Sequence, residues 1–422
     1  MRRTILTTLT ATLLAAVCTA QTQYPTKFSA ALADRPEVRQ ALAFIDERFE
    51  QQIAEWITVT EIPGQSTHEE ARAAYVRTEL EKLGLTVEID EIGNVMARRA
   101  GTGGGPTLVF AAHMDTVHPM DTDVTVAREE DGTLHAPGIY DNSASVANLL
   151  QATRAMDAAG ISTKGDIILL FTVQEELGLI GMYHWLDNHA EETDMLVALD
   201  GGLGPVRYGA LGIYWSKMKF LGDGAHTNQS RDQPHPARAA AQCITDIYTV
   251  PLPPPDAEVS AVYNVGMLSG GKVVNAIPEE AAFTVDLRTV DPDMLQNLDD
   301  RIMAVCEGAA AAHGVTFERE WIQRSEAGGR PEQLENRRAH PLVQTAVDVL
   351  RYLDVDLPEN QEAIASGSTD SNAGVVRGIP SVSVGRGLGG DQHTLREWAT
   401  AESARIGTKQ IILLAVALTE PS

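Results

Sequence analysis

Cysteine is scarce, with three in 422 residues, and one of them, Cys18, lies in an N-terminal stretch that reads as a leader. The other two, Cys243 and Cys306, are too few for a disulfide framework of the kind that staples small secreted domains. Both sit in alanine-rich helical patterns, AAAQCITDI and IMAVCEGAA, so two buried thiols are expected rather than a bridge. Aromatic residues make up only 5% of the chain, which leaves Ala, Val, Leu and Ile to build the cores. Cations are also in deficit: 33 Lys and Arg against 58 Asp and Glu give a formal charge of -25. A surface this acidic repels phosphate backbones, which argues against nucleic acid as a partner. Beyond the N-terminus no apolar run is long enough to cross a bilayer, so no membrane span is expected.

The N-terminus reads MRRTILTTLTATLLAAVCTAQ: two arginines, an apolar stretch from Ile5 to Val17, then small residues before Gln21. That is the layout of a secretory signal over residues 1–20, cut after Ala20, and it implies an exported protein, periplasmic or secreted. A lipid anchor at Cys18 is the weaker alternative, because Val17 is bulky for the position before such a cysteine.

The length favours two domains over one core. From about residue 28 to residue 209, apolar runs alternate with helical patterns. TLVFAAH, DIILLFTV and DMLVALD are continuous apolar runs, the mark of strands buried on both faces. The segment THEEARAAYVRTELEKLG predicts a helix capped by Ser66 or Thr67 and closed by Gly84. DNSASVANLLQATRAMDAAG predicts another. This βαβ rhythm predicts an α/β fold with a mainly parallel sheet over 26–209 and 325–422. Over 210–324 the texture changes: GIYWSKMKFLG and EEAAFTVDLRT alternate, and the helix from Pro292 has Asp291 as its cap and Gly314 at its end. That pattern reads as an inserted α+β lid.

Chemistry gathers where the buried runs end, the edge at which open α/β sheets hold ligands. TLVFAAHMDTV ends on His113 and Asp115, which in extended chain point to one side, so one is placed to ligate and the other to orient it. GIYDNSAS supplies Asp141, FTVQEELGL supplies Glu175 and Glu176, DMLVALDGG supplies Asp200, and the late loop GRGLGGDQHTLREW supplies His393. Singly, each has an ordinary reading: Asp141 as a helix cap, the glutamate pair as a helix start, His393 and His118 as surface histidines. Together, two histidines and several carboxylates without cysteine suit two divalent cations, zinc foremost and cobalt or manganese as alternatives. Two metals roughly 3.5–4 Å apart require a bridging carboxylate. Asp141 fills that role, with His113 and Asp200 on one ion and Glu176 and His393 on the other. Glu175 is then left over, free to serve as general base toward a water activated beside the metals.

In order and spacing, HMDTV, GIYDN, QEELG, LDGG and DQH resemble the di-zinc exopeptidase family of peptidase T, carboxypeptidase G, acetylornithine deacetylase and aminoacylase. The resemblance implies His113, Asp141, Glu176, Asp200 and His393 as metal ligands, Asp115 as support for His113, and Glu175 as the base. FLGDGAHTN resembles the family's lid motif, which makes His226 the candidate oxyanion donor, often supplied by the partner subunit of a homodimer built through the lid. GGKVVNAIPEEAAFTVDLRT resembles a second lid motif and makes Asn275 and Arg288 candidates for holding substrate, Arg288 through a carboxylate. For Arg288 a strand-face ion pair is the competing reading. GSTDSNAG resembles a stretch near the family's substrate pocket, although Asp370 reads equally well as a turn former. Ser143 and Ala144 stand where many members have Lys and Gly, and QSRDQPHPAR is longer and more polar than usual after the lid motif.

The function this implies is an exported zinc exopeptidase acting on short peptides. Asp200 followed by two glycines inclines the reading toward peptidase T and a free amino end. A deacylase of N-acyl amino acids or related metabolites is the alternative. A non-catalytic binding relative is disfavoured by the complete ligand set with Glu175, and a two-metal phosphatase by the acidic balance.

Overall fold

The structure is a computed structural model and describes residues 24–254, 257, 259–359 and 361–422. The expected signal segment and Cys18 lie outside the described residues. Among the described residues no helix is long and apolar enough to cross a membrane.

Eight strands form the central sheet. Their order is Val87–Ile89, Val95–Arg99, Ile167–Thr172, Leu108–His113, Met195–Leu199, Ser381–Val384, Val206–Arg207 and Ala363–Ile364. The four middle strands run parallel, from Ile167–Thr172 through Ser381–Val384. The Val87–Ile89 and Val95–Arg99 strands are antiparallel additions at one edge. Every residue of Leu108–His113 and Ile167–Thr172 is buried, because helices cover both faces. Leu108, Phe110 and Ala112 pack with the helices Ala144–Ala158 and Ser403–Leu418. Val109 and Ala111 point the other way, onto Met182 and Trp185. Continuous apolar sequence is thus what a two-sided burial requires. Since the middle strands run together, their carboxyl ends meet at one edge, and the loops after His113, Thr172, Leu199 and Val384 share it.

A second sheet is built wholly from strands between Gly212 and Ser325. Its order is Ala261–Gly270, Glu280–Thr289, Gly212–Leu221 and Thr316–Ser325, all antiparallel. The helices Pro236–Ile247 and Pro292–His313 pack on it around Met218, Phe220, Phe283 and Leu295. Asp291 caps the second helix as expected, its Oδ1 accepting from the amides of Asp293 at 2.8 Å and Met294 at 3.1 Å. The chain enters and leaves this unit side by side, with Gly328 N donating to Ala210 O at 3.0 Å.

Two expectations are corrected. Cys243 and Cys306 are joined in a disulfide, Cα atoms 4.7 Å apart, because the two lid helices pack closely enough to bring residues 63 positions apart into register. Ser66 and Thr67 do not cap a helix. The helix is Glu70–Glu81 with Glu69 at its cap position, Thr67 has φ +75°, and the Ser66 hydroxyl donates instead to Asp115 Oδ2 at 2.7 Å.

Replacing Cys243 and Cys306 together by serine should destabilise the lid by about 2–4 kcal/mol, mostly through the entropy of the unfolded chain. Denaturant unfolding followed by lid tryptophan fluorescence measures this, and alkylation without reduction should label neither cysteine.

Candidate metal centre

His113 closes its strand with the imidazole turned inward. Its Nδ1 lies 3.1 Å from the backbone oxygen of Asp115 and 3.4 Å from Asp115 Oδ1, which aims Nε2 at the edge of the sheet. There Nε2 meets Asp141 Oδ1 at 3.2 Å, Asp200 Oδ2 at 3.8 Å and Glu175 Oε2 at 4.0 Å. On the outer side, His393 Nε2 lies 3.1 Å from Glu176 Oε1 and 3.5 Å from Asp141 Oδ2. Asp141 therefore stands between the two histidines, one oxygen toward each.

Asp115 is fully buried and organises this edge. Its carboxylate accepts from Ser66 Oγ, from Glu175 N at 3.0 Å and from Glu176 N at 3.1 Å. Burial pushes its pKa up, but His113, the Ser66 hydroxyl and the Glu175 amide outweigh that and hold it below the usual carboxylate range. The turn it fixes has Gln174 at φ +54° and Leu179 at φ +64°, and it sends the two adjacent glutamates to different places. Glu176 converges with His113 and Asp141, and Glu175 with His113 and Asp200. Burial raises the Glu175 carboxyl well above its ordinary value; His113 opposes the shift and the charges of Asp200 and Glu176 add to it. For Asp141 burial is overcome by Arg386 and the two histidines, which hold it well below the carboxylate range. The carboxylates of Asp141 and Glu176 push His393 up to about 10.

Several residues of the site carry no signal that sequence reasoning used. Arg386 is fully buried behind the ligands: Nη1 pairs with Asp200 Oδ1, Nη2 lies 3.2 Å from Asp141 Oδ1, and the guanidinium sits 4.2 Å from the Tyr140 ring centre. A lone arginine directly after the apolar run SVSVG was the available clue. Glu397, also buried, accepts from the amides of Gly138, Tyr140 and Asp141 at 3.0, 2.9 and 2.7 Å, and so anchors the loop that carries Asp141. His118 is not a surface histidine. It is buried with Nε2 3.6 Å from Glu397 Oε2. Asp370 is buried too, its Oδ2 accepting from Thr172 Oγ1 at 2.6 Å, and burial pushes its pKa up to about 7.

The lid candidates lie apart from this cluster. His226 is exposed in a two-residue strand paired with Ala276, and Thr227 N donates to Asn275 O at 3.0 Å, so His226 and Asn275 are neighbours. Arg288 Nε is bonded to both oxygens of Asp286, at 2.9 and 3.1 Å, and its guanidinium lies 5.6 Å from the Trp215 ring centre. That is the strand-face ion pair.

The donor set fits a pair of divalent cations. Asp141 Oδ1 and Glu176 Oε1 are buried oxygens without a well-formed hydrogen bond, and an orphaned carboxylate oxygen at a convergence of imidazoles is what a cation satisfies. The five residues His113, Asp141, Glu176, Asp200 and His393 would hold the ions.

The family model for Peptidase family M20/M25/M40 matches residues 109–416. The chain is a metallohydrolase of that family. It is 27% identical over 270 residues to an N-acetyl-L-cysteine deacetylase of Bacillus subtilis, a match covering 61% of this chain and 64% of the deacetylase. The fold superposes on a Staphylococcus aureus tripeptidase with a TM-score of 0.76 at 23% identity, over 87% of this chain and 98% of the other. A dinuclear metal-binding peptidase of the same family from Bacillus subtilis gives 0.65 at 18% identity, over 89% and 100%.

Changing Arg386 to Met removes a cation and little volume, leaving Asp141 and Asp200 uncompensated. This should cost the metal-free protein about 3–5 kcal/mol and the zinc-loaded protein much less. Thermal unfolding with and without chelator reads the difference; equal losses in both states would show that Arg386 acts through packing alone.

Proposed function

We propose that this member of the M20 family is an exported, zinc-dependent exopeptidase that hydrolyses the amide bonds of short peptides, with a free amino end slightly favoured. The observation that carries the reading is the divergence of Glu175 from Glu176: one adjacent carboxylate joins the ligand cluster while the other stays beside it, buried and, among the described residues, paired with no lysine or arginine. Two zinc ions in the cluster would polarise a substrate carbonyl and acidify a water. Glu175 would take that proton and hand it to the departing nitrogen. His113, fixed by Asp115, and Asp141, fixed by Glu397, hold the reacting edge in register.

His226 contributes from the lid. Its Nδ1 accepts from Asn228 N at 3.2 Å, so a neutral ring carries its proton on Nε2 and presents a donor outward, as an oxyanion requires. Asn275 beside it would hold substrate, and Arg288 would do so by exchanging Asp286 for a substrate carboxylate. The division into a hydrolase part (26–209 and 325–422) and a lid (210–324) belongs to this reading. So does a homodimer through the lid: its edge strand Ala261–Gly270 exposes Val262, Met267 and Leu268, and Val273 and Val274 follow. Such an apolar edge suits a second copy. Export is supported by the Cys243–Cys306 bridge, which persists in oxidising compartments. A deacylase of N-acyl amino acids is the second reading, favoured by the similarity to the deacetylase.

A tripeptide offered free, N-acetylated and C-amidated, with and without chelator, tests the activity. Chelator-sensitive cleavage lost on N-acetylation is the expected result; cleavage of none of the three, with release of acyl groups from N-acyl amino acids, would move the deacylase reading to first place. Glu175→Ala should abolish turnover at normal zinc content, and His226→Ala should lower kcat roughly 100- to 1000-fold. Size-exclusion chromatography with light scattering should find a dimer that Met267→Glu with Leu268→Glu converts to monomer.

A further inference from the structure

Three arginines bear on how this chain could hold an anion, and two of them spend their charge on carboxylates. Arg386 is held by Asp141 and Asp200, and Arg288 by Asp286. The third, Arg207, is different. It lies in the short strand Val206–Arg207, which runs antiparallel to Ser381–Val384 and pairs Arg207 with Ser383, and it is partly buried. Among the described residues it has no hydrogen-bond or ion-pair partner, and its Nη1 is buried without one. In a chain with 58 acidic side chains against 33 basic ones, an arginine left unpaired in a half-buried position is costly and calls for an occupant.

The surroundings of Arg207 are shaped to hold it at the metal centre. A Cβ at Gly201 would lie 3.1 Å from Arg207 Nη1, and one at Gly367 would lie 3.1 Å from its Cδ. Two glycines thus form a slot, and the first of them directly follows the candidate ligand Asp200, with φ +82°. The guanidinium thus lies beside the backbone that follows Asp200.

We propose that Arg207 is a specificity-determining residue that receives a carboxylate of the substrate beside the metal centre, from the hydrolase half of the molecule. The inference rests on the amide-hydrolase reading above. Its basis is a forked donor with a buried, unused N–H beside a metal-ligand loop, the arrangement that binds a carboxylate in two parallel hydrogen bonds. The carboxylate has two possible sources, a chain terminus or an acidic side chain.

The test uses the zinc-loaded mature chain and Arg207→Gln. Its substrates are a tripeptide with a free C-terminus, its C-terminal amide, and that amide with glutamate at the last position. Wild type should favour a carboxylate-bearing substrate over the plain amide, and Arg207→Gln should remove a factor of roughly 10 to 100 of that preference, mainly through KM. Turnover of the plain amide, zinc content and Tm should be unchanged. Preference for the free tripeptide alone identifies the terminus as the source; preference for the glutamyl amide identifies the side chain. Unaltered discrimination in Arg207→Gln would overturn the proposal. Arg207→Lys, which keeps the charge and loses the fork, should show a partial effect and serves if the glutamine variant does not fold. If wild type cleaves no peptide, the proposed function fails while Arg207 remains testable. Leucine, and not leucinamide, should then raise the Tm of zinc-loaded wild type and leave Arg207→Gln unmoved; equal stabilisation of both proteins would sink the inference.

Discussion

The site depends on one buried carboxylate. Asp115 binds no other carboxylate and contacts no solvent, yet it joins the strand that carries His113, the Ser66 turn and the loop that carries both glutamates. An apolar residue of similar size would leave two amides and a hydroxyl without an acceptor in the interior, and asparagine would keep only one of the two accepting oxygens. The apolar residue would also release the constraint that sends Glu175 and Glu176 apart. Charge is required here because three donors and an imidazole converge on a group out of reach of water, and only an ionised acceptor repays its own desolvation at that density of partners.

The same logic explains why so many acids tolerate one another at this edge. Asp141, Glu175, Glu176 and Asp200 would repel strongly in a medium of low dielectric. His113, His393 and the Arg386 guanidinium lie among these acids, so part of the repulsion is offset even before metal enters, while Asp200 and Glu176 still act on Glu175. Glu397 adds a negative charge on the far side of the Asp141 loop, where it is spent on three backbone amides. The arrangement is preorganised: ligand positions are set by protein groups, which lowers the reorganisation that metal binding demands.

What was legible in the sequence follows from how the signals are encoded. His113, Glu175, Glu176 and Asp200 each terminate a continuous apolar run, and a run buried on both faces announces a strand whose end must lie at the sheet edge. The fold class came from the same runs. Arg386 and Glu397 were not read, because each looks locally like a loop charge and acquires meaning only when residues more than 180 positions away are packed against it. Ser66 was misassigned for a related reason: its hydroxyl had a local use as a helix cap and a distant use at Asp115, and the buried anion is the stronger acceptor. The Cys243–Cys306 pairing depended on the register between two helices, which neither helix contains by itself. The alternating strands of the lid were legible, whereas the employment of Arg288 by Asp286 was one of two readings that periodicity left equal.

The adjacent crossings at Ala210 and Gly328 bear on the history of the molecule as well as its mechanics. A segment whose two ends meet across a single hydrogen bond closes a loop that the host must close in any case, and loop-closure entropy grows only slowly with the length inserted. The segment between them can therefore lengthen, shorten or be exchanged with little effect on the sheet that holds the ligands. Substrate choice, to the extent that it resides in that segment, is then free to diverge among relatives, while a contact such as Arg207, rooted in the sheet itself, would be inherited with the metal centre.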